Sequence, residues 1–154
     1  MVSTSYKRGS FTNVPNHLSA LLKQKKYLIA NKIIEKKKSV ADYLSNKGFS
    51  VGKSIFEINK AQDHEIFIIC TPSEVRLEII NYLIKIGAKN IIIEKPISIS
   101  VKEGEKIKNC ISDSNLNCFI NYHRRNIKLI LNIKKKIKDC IAINVNYNSG
   151  LLNY

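Results

Sequence analysis

Short apolar runs that alternate with helical patterns constrain the fold of this chain more than any other feature. Residues 66–70 form a continuous β-branched and aromatic run, which a Thr-Pro pair ends. Residues 91–93 form a second run, ended by Glu-Lys-Pro, and residues 118–122 form a third. Continuous runs of this kind are typical of strands that are buried on both faces of a parallel sheet.

Helical patterns fill the intervals between these runs. Ser73 is placed to cap a helix that Gly87 closes, and Ser100 is placed to cap a helix that reaches about Cys110. A basic amphipathic helix is predicted over residues 126–139 and a last strand over residues 141–147. Strand and helix in alternation predict βαβ units. The fold class is therefore α/β, a Rossmann-like open parallel sheet with flanking helices, and it is expected to be incomplete.

The first sixty residues carry a weaker pattern. After a polar lead-in, Asn16 is placed to cap one helix whose apolar positions run from Leu18 to Ile33 and which ends in the lysine run 36–38. A second helical piece is predicted over residues 40–46. We therefore divide the chain into a basic, partly helical segment (1–60), a Rossmann-like NAD(P)-binding core (61–140) and the start of a truncated C-terminal substrate domain (141–154).

The charge of the chain would ordinarily indicate a polyanionic partner, because 26 basic residues face 12 acidic ones. Twenty-two of the 26 are lysines, and residues 1–60 hold twelve basic and three acidic residues. Since Lys, Ile and Asn share A/T-rich codons, we interpret this excess mainly as lysine background and do not favour nucleic acid. The alternative is a non-catalytic basic α/β remnant that binds a complementary chain or nucleic acid.

Several other classes of protein are excluded by what the sequence lacks. No apolar run approaches the roughly 18 residues of a membrane span, and the first residues lack the apolar stretch of a secretory signal. The four cysteines and three histidines show no metal-ligand spacing, so no metal is expected. These observations predict a cytoplasmic protein.

Ligands of open parallel sheets bind outside the carboxyl ends of the strands, so polar residues there are the candidates for chemistry. Lys95 is the sharpest candidate, because an ammonium group at a strand end can position a substrate hydroxyl. The helix that begins near Ser73 directs its first amides to the same crevice, which favours an anion such as a pyrophosphate.

Four motifs in order resemble one enzyme family. They are Thr71-Pro72-Ser73, the segment 87–96 that ends in Glu94-Lys95-Pro96, the segment 121–125, and Ser149-Gly150-Leu151-Leu152-Asn153. Their sequence and spacing are similar to those of the Gfo/Idh/MocA oxidoreductases, relatives of glucose–fructose oxidoreductase and inositol dehydrogenase. The resemblance covers roughly residues 48–154.

The resemblance implies hydride transfer between NAD or NADP and a hydroxyl of a sugar, sugar nucleotide or cyclitol. It implies one catalytic residue, Lys95. The cofactor-binding residues that it implies are Cys70, Thr71, Pro72, Ser73, Glu94, Lys95 and Pro96. Tyr122, Arg124 and Arg125 would shape the substrate pocket, and a complementary chain or a homo-oligomer is the expected macromolecular partner.

Two departures from the family pattern shape the remaining expectations. The G-x-G-x-x-G turn is missing, and no acidic residue is placed to hold an adenosine ribose. The chain also stops before the substrate domain of its relatives. We therefore expect a fragment with little independent activity, and the alternative is a divergent enzyme whose first sixty residues form an unusual nucleotide-binding start.

Overall fold

The computed structural model describes residues 17–24, 26–122, 125 and 128–137. The chain divides into two compact units, the first up to Asn121 and the second from Tyr122 onward. The helices and strands, in chain order, are α1 (His17–Lys23), β1 (Ile33–Ile34), α2 (Lys38–Asn46), β2 (Val51–Gly52), β3 (Ile66–Ile69), α3 (Arg76–Lys85), β4 (Asn90–Ile93), α4 (Val101–Ser112), β5 (Asn117–Ile120) and α5 (Lys128–Lys136).

The three apolar runs form one parallel sheet in the order β3-β4-β5. In its register, Ile69 lies opposite Ile93 and Ile93 lies opposite Ile120. The strands at residues 66–70, 91–93 and 118–122 are therefore confirmed to within two residues at each end. β-branched side chains favour such strands because they pack well on a pleated surface.

One face of this sheet holds the main hydrophobic core. Ile91 and Ile93 are 1% and 0% exposed and pack with Ile80, Leu83 and Ile107 of the helices α3 and α4. Side chains alternate between the two faces of a strand. Ile68, Ile92 and Phe119, which are paired in register, therefore belong to the opposite face, where Phe119 is 72% exposed.

The ends of α3 and α4 test the predicted helix signals. Gly87 follows α3 with a φ of 83°, a conformation that suits glycine, and the Ser100 hydroxyl accepts a hydrogen bond from the Glu103 amide. The predicted cap at Ser73 is wrong. Ser73 lies within a 3₁₀ turn, Ser73–Val75, that precedes α3, and Pro72 is the residue before that turn.

A second, smaller cluster lies around α1, α2 and the two-stranded parallel sheet β1-β2. Leu18, Val40 and Leu44 are its buried residues. The single helix predicted from Asn16 to the lysine run is wrong, because α1 ends at Lys23 and β1 follows. Hydrogen bonds explain the difference: the Ile33 amide donates to Ser50 O and the Glu35 amide to Gly52 O, so β2 captures this segment.

The described strands form two separate parallel sheets, β1-β2 and β3-β4-β5. In the larger sheet, α3 and α4 connect consecutive parallel strands, which is the strand-helix alternation of a doubly wound fold. The predicted class, a parallel α/β sheet with flanking helices, is therefore confirmed for the described residues.

The second unit contributes one described helix, α5. It lies within the basic amphipathic helix predicted over residues 126–139. The predicted strand at residues 141–147 lies outside the described residues. Among the helices that the structure describes, none has the length and apolar character to cross a membrane.

The two faces of the three-stranded sheet lead to a stability prediction. Ile91→Ala should lower the free energy of unfolding by about 2–5 kcal/mol, because a fully packed side chain is lost from the core. Phe119→Ala, on the exposed face of the neighbouring strand, should change the free energy of unfolding by no more than about 0.5 kcal/mol. Urea unfolding followed by circular dichroism measures both. Equal losses would contradict the assignment of the faces.

Candidate functional site

The carboxyl ends of β3, β4 and β5 meet at one edge of the sheet. The Glu94 amide donates to Ile69 O at 3.0 Å, and the Asn121 amide donates to Ile93 O at 2.8 Å. These bonds extend the strand ladder one residue beyond each strand. The structure thus brings Cys70, Glu94 and Asn121 side by side at the edge where ligands of such sheets bind.

The Glu94 carboxylate accepts two side-chain hydrogen bonds at this edge. Its Oε1 atom accepts a hydrogen bond from Asn121 Nδ2 at 2.6 Å and another from His17 Nε2 at 2.7 Å. The side chains of His17 and Glu94 are 29% and 30% exposed, so this ion pair is partly shielded from water. Hydrogen bonds between charged groups are shorter and stronger than neutral ones. Glu94 is therefore held in one orientation from two elements.

The two partners of this ion pair have shifted pKa values. A hydrogen bond with the Cys70 side chain and the neighbouring Glu94 carboxylate raise the pKa of His17 to about 9, although burial works against this. Burial also opposes ionisation of Glu94, but the hydrogen bonds from Asn121 and His17 prevail and lower its pKa. At neutral pH the pair is therefore an imidazolium and a carboxylate.

Arg76, the first residue of α3, hydrogen-bonds to the loop that follows β3 and to the loop that follows β4. Its guanidinium is buried, with the residue 4% exposed, and donates twice to Thr71 O, from Nε at 3.0 Å and from Nη2 at 2.7 Å. Nη1 donates to the carbonyl oxygens of Glu94 and Pro96. Burial lowers the pKa of Arg76 against the attraction of nearby Cys70 and Glu94. A planar fork of donors suits this task, because several carbonyls converge on one group.

Thr71 carries an unusual polar atom. Its Oγ1 is buried and has no hydrogen-bond partner among the residues that the structure describes. A buried hydroxyl without a partner is unfavourable unless another molecule supplies the bond. Of its neighbours in sequence, Cys70 is half-buried, Pro72 is exposed and Ser73 is buried.

Lys95 and Pro96 follow Glu94 and are both exposed. The bond that joins them is a cis peptide. The predicted residues of the first two strand ends, which are Cys70, Thr71, Pro72, Ser73, Glu94, Lys95 and Pro96, thus lie along one edge of the sheet.

The predicted substrate-pocket residues belong to the second unit. Arg125 lies over the ring of Tyr122, with its guanidinium carbon 5.4 Å from the ring centre. Arg124 lies outside the described residues. No group of three or more described His, Cys, Asp or Glu side chains is arranged to hold a metal ion.

Two residues of the edge were missed by the sequence analysis. Glu35 directly follows β1, is 4% exposed and accepts a hydrogen bond from the Lys37 amide at 2.8 Å. It therefore stands at a strand end, which the single helix predicted over this region did not provide. His17 was set aside because no second ligand lies near it in the sequence; its partner is 77 residues away. Recognising the Ile33-Ile34 pair as a strand would have revealed Glu35.

The bonds of Arg76 lead to a prediction. Arg76→Leu should lower the free energy of unfolding by about 2–4 kcal/mol, because three carbonyls lose a charged donor. Arg76→Lys should lie in between, since it keeps the charge but not the fork. Urea unfolding measures the losses, with Lys102→Ala on the exposed side of α4 as the control. A wild-type value for Arg76→Leu would contradict this role.

The WlbA dehydrogenase from Chromobacterium violaceum, solved with NADH and UDP-GlcNAcA, matches this chain with a TM-score of 0.68 at 16% identity, over 79% of this chain and 35% of its own. The WlbA dehydrogenase from Bordetella pertussis, solved with the same two ligands, matches with a TM-score of 0.69 at 15% identity, over 79% and 35%.

A levoglucosan dehydrogenase, solved with NADH and levoglucosan, has a TM-score of 0.62 at 22% identity, over 71% of this chain and 30% of its own. At such identities the likeness establishes the fold alone. The chain spans about a third of the length of these structures. A comparison with curated proteins finds none with significant sequence similarity.

The sequence profile of the Gfo/Idh/MocA oxidoreductase family, described as an NAD-binding Rossmann fold, matches residues 9–122. That match covers well over half of the chain and includes both hydrophobic clusters and the strand ends described above. The chain therefore belongs to the Gfo/Idh/MocA family of oxidoreductases.

Proposed function

We propose that this chain binds NAD or NADP along the carboxyl ends of its strands and serves hydride transfer to or from the carbon that bears a sugar-type hydroxyl. The observation that carries the proposal is the buried Thr71 hydroxyl, which has no hydrogen-bond partner among the described residues. It lies at the same edge as the Glu94-Lys95-Pro96 segment, which Asn121 holds by a hydrogen bond to Glu94, in a chain of an NAD-binding family. Cys70, Pro72 and Ser73 are proposed to complete the cofactor contacts.

The described residues fit a dinucleotide at two places. Thr71 Oγ1 is a buried polar atom that a ligand group could satisfy, and Glu35 stands at the end of β1 for an adenosine ribose. The sequence departs at the pyrophosphate turn. Counted from Gly9, where the family match begins, Phe11 and Val14 stand at the positions of the second and third fingerprint glycines. The second glycine allows close approach to the pyrophosphate, so we expect weaker binding than a complete fingerprint gives.

The bound nicotinamide supplies the hydride chemistry. The protein's task is then to orient a substrate hydroxyl and manage its proton. Glu94 is poorly suited to accept that proton, because Oε1 already accepts two hydrogen bonds and its pKa is lowered. The exposed Lys95 ammonium group is proposed to donate a hydrogen bond to the substrate oxygen.

The class of substrate follows from the relatives by analogy. The WlbA structures contain a sugar nucleotide and the levoglucosan dehydrogenase contains a sugar derivative. We propose a sugar, sugar-nucleotide or cyclitol hydroxyl for this chain, with Tyr122, Arg124 and Arg125 contributing to the pocket. Because the chain spans about a third of those structures, the full activity is part of the proposal.

Three further predictions from the sequence stay predictions. They are a cytoplasmic location, association with a complementary or identical chain, and the division of the chain after residues 60 and 140. The family match from residue 9 to residue 122 includes residues on both sides of the first of these divisions.

A fluorescence titration with NADH tests the proposal. The wild-type chain should bind saturably, and Lys95→Ala and Glu35→Gln should each weaken binding by about three- to tenfold, since each removes one polar contact. Pro72→Gly should also weaken it by loosening the loop after β3. A parallel titration with NADPH measures the preference between the two cofactors, which differ at the adenosine ribose that Glu35 is proposed to hold.

Lys102→Ala is the matched control, because it removes an exposed lysine from α4 and should leave the affinity unchanged. Absence of any saturable response up to millimolar NADH would refute the proposed function. If Lys102→Ala weakened NADH binding as much as Lys95→Ala does, the loss of affinity would come from the general loss of positive charge and not from a contact of Lys95.

A further inference from the structure

His17 lies next to the smaller hydrophobic cluster along the chain. It is the first residue of α1, and the next residue, Leu18, packs with Val40 and Leu44 in that cluster. The same cluster carries β1 and therefore positions Glu35.

Glu94 belongs to the larger part of the fold. Its amide continues the β3-β4 ladder, Arg76 binds its carbonyl, and Asn121 from the end of β5 binds its carboxylate. The ion pair of His17 and Glu94 therefore joins the two clusters at the carboxyl edge of the strands. A further described side-chain bond between the two regions lies ahead of the strands: Asn31 Nδ2, ahead of β1, donates to Glu65 Oε1, ahead of β3, at 3.1 Å. That bond is exposed and lies at the opposite, amino edge.

We propose that His17 is a positioning residue that ties the Glu94-Lys95-Pro96 segment to the half of the fold carrying Glu35. A dinucleotide that contacts both Glu35 and Lys95 needs the two halves at a fixed separation, and the His17–Glu94 bond sets that separation at the edge the dinucleotide uses. For this consequence the inference rests on the proposed function; the tie itself exists without any ligand.

Protonation of His17 controls the tie. The groups that face its ring are the Glu94 carboxylate and the Cys70 side chain, while Asn121 shares the same carboxylate oxygen and Arg76 holds the Glu94 carbonyl. Because the pKa of His17 is raised to about 9, its contribution is complete below the ordinary value of 6.5 and is lost as the pH rises through 9. Glu94, with a lowered pKa, contributes above its ordinary value of 4.5 and loses its contribution in acid. The tie is therefore strongest near pH 5–6 and weakens in alkali.

NMR of the full chain without cofactor tests the tie directly. The His17 ring should titrate near pH 9 in the wild type and at a lower pH in Glu94→Gln, which keeps an acceptor but removes one of the groups that raise its pKa, the other being Cys70. The Lys95 amide signal should move with the same midpoint as His17 in the wild type. In His17→Gln, which keeps a neutral donor, that movement should disappear.

Binding of NADH at pH 7 and pH 10 gives the second readout. Wild-type affinity should fall by about tenfold between these values, and His17→Ala should have the lower affinity at both. His17→Gln should retain an intermediate affinity with little pH dependence. Asn31→Ala is the matched control, since it removes the Asn31–Glu65 bond, which joins the same two regions at the opposite, amino edge of the strands. This variant should keep wild-type affinity and pH dependence.

The outcomes separate this inference from the proposed function. If the wild type binds no NADH but the Lys95 amide follows His17, the function fails and the tie stands. If the Lys95 amide signal does not shift as His17 titrates, the tie is overturned, whatever the affinity for NADH. Equal loss of binding in Asn31→Ala and His17→Ala, with both chains folded, also overturns it, because His17 would then act only as general support.

Discussion

The arrangement of the strand-end edge depends on the burial of one cation. The guanidinium of Arg76 is removed from water, and in place of a carboxylate it has three backbone carbonyls from two loops as hydrogen-bond partners. A buried charge is tolerated only when its donors are satisfied, so the loops after β3 and β4 must converge on it. The neighbours of Lys95 in the chain, Glu94 and Pro96, are both fixed in this way. The backbone of Lys95 is thus held by contacts on either side of it, while its side chain is exposed.

The two hydrophobic clusters divide the fold in a way that matters for a long ligand. The larger cluster fixes β3, β4 and β5, while the smaller one fixes α1, α2 and the short pair β1-β2. Ligands of doubly wound sheets extend across the point where the strand order reverses. In this chain the His17–Glu94 pair bridges the two clusters at the carboxyl ends of their strands.

The larger half of the fold could be predicted from the sequence, whereas the smaller half could not. The runs at residues 66–70 and 91–93 are continuous and end in proline-containing turns, so no helix competes for them. Ile33-Ile34 is only two residues long and continues the apparent helical period from Leu18, and the decision against a helix comes from β2, a tertiary contact. The partners of His17 and Arg76 were also hidden, since a histidine 77 residues from its carboxylate leaves no trace in spacing. Thr71, Glu94 and Lys95 were found because motif and strand end coincide there.

The two-residue strands β1 and β2 have a consequence for how the molecule opens. Local opening is least costly where few apolar groups are buried, and among the described residues the smaller cluster has three buried members against ten in the larger one. The native state is therefore expected to fluctuate most on the side of Glu35, with the larger sheet remaining intact. A molecule that bound both sides at once would suppress these fluctuations, and part of its binding free energy would be consumed in ordering the weaker side. Affinity in this chain would then report on local stability as much as on direct contacts.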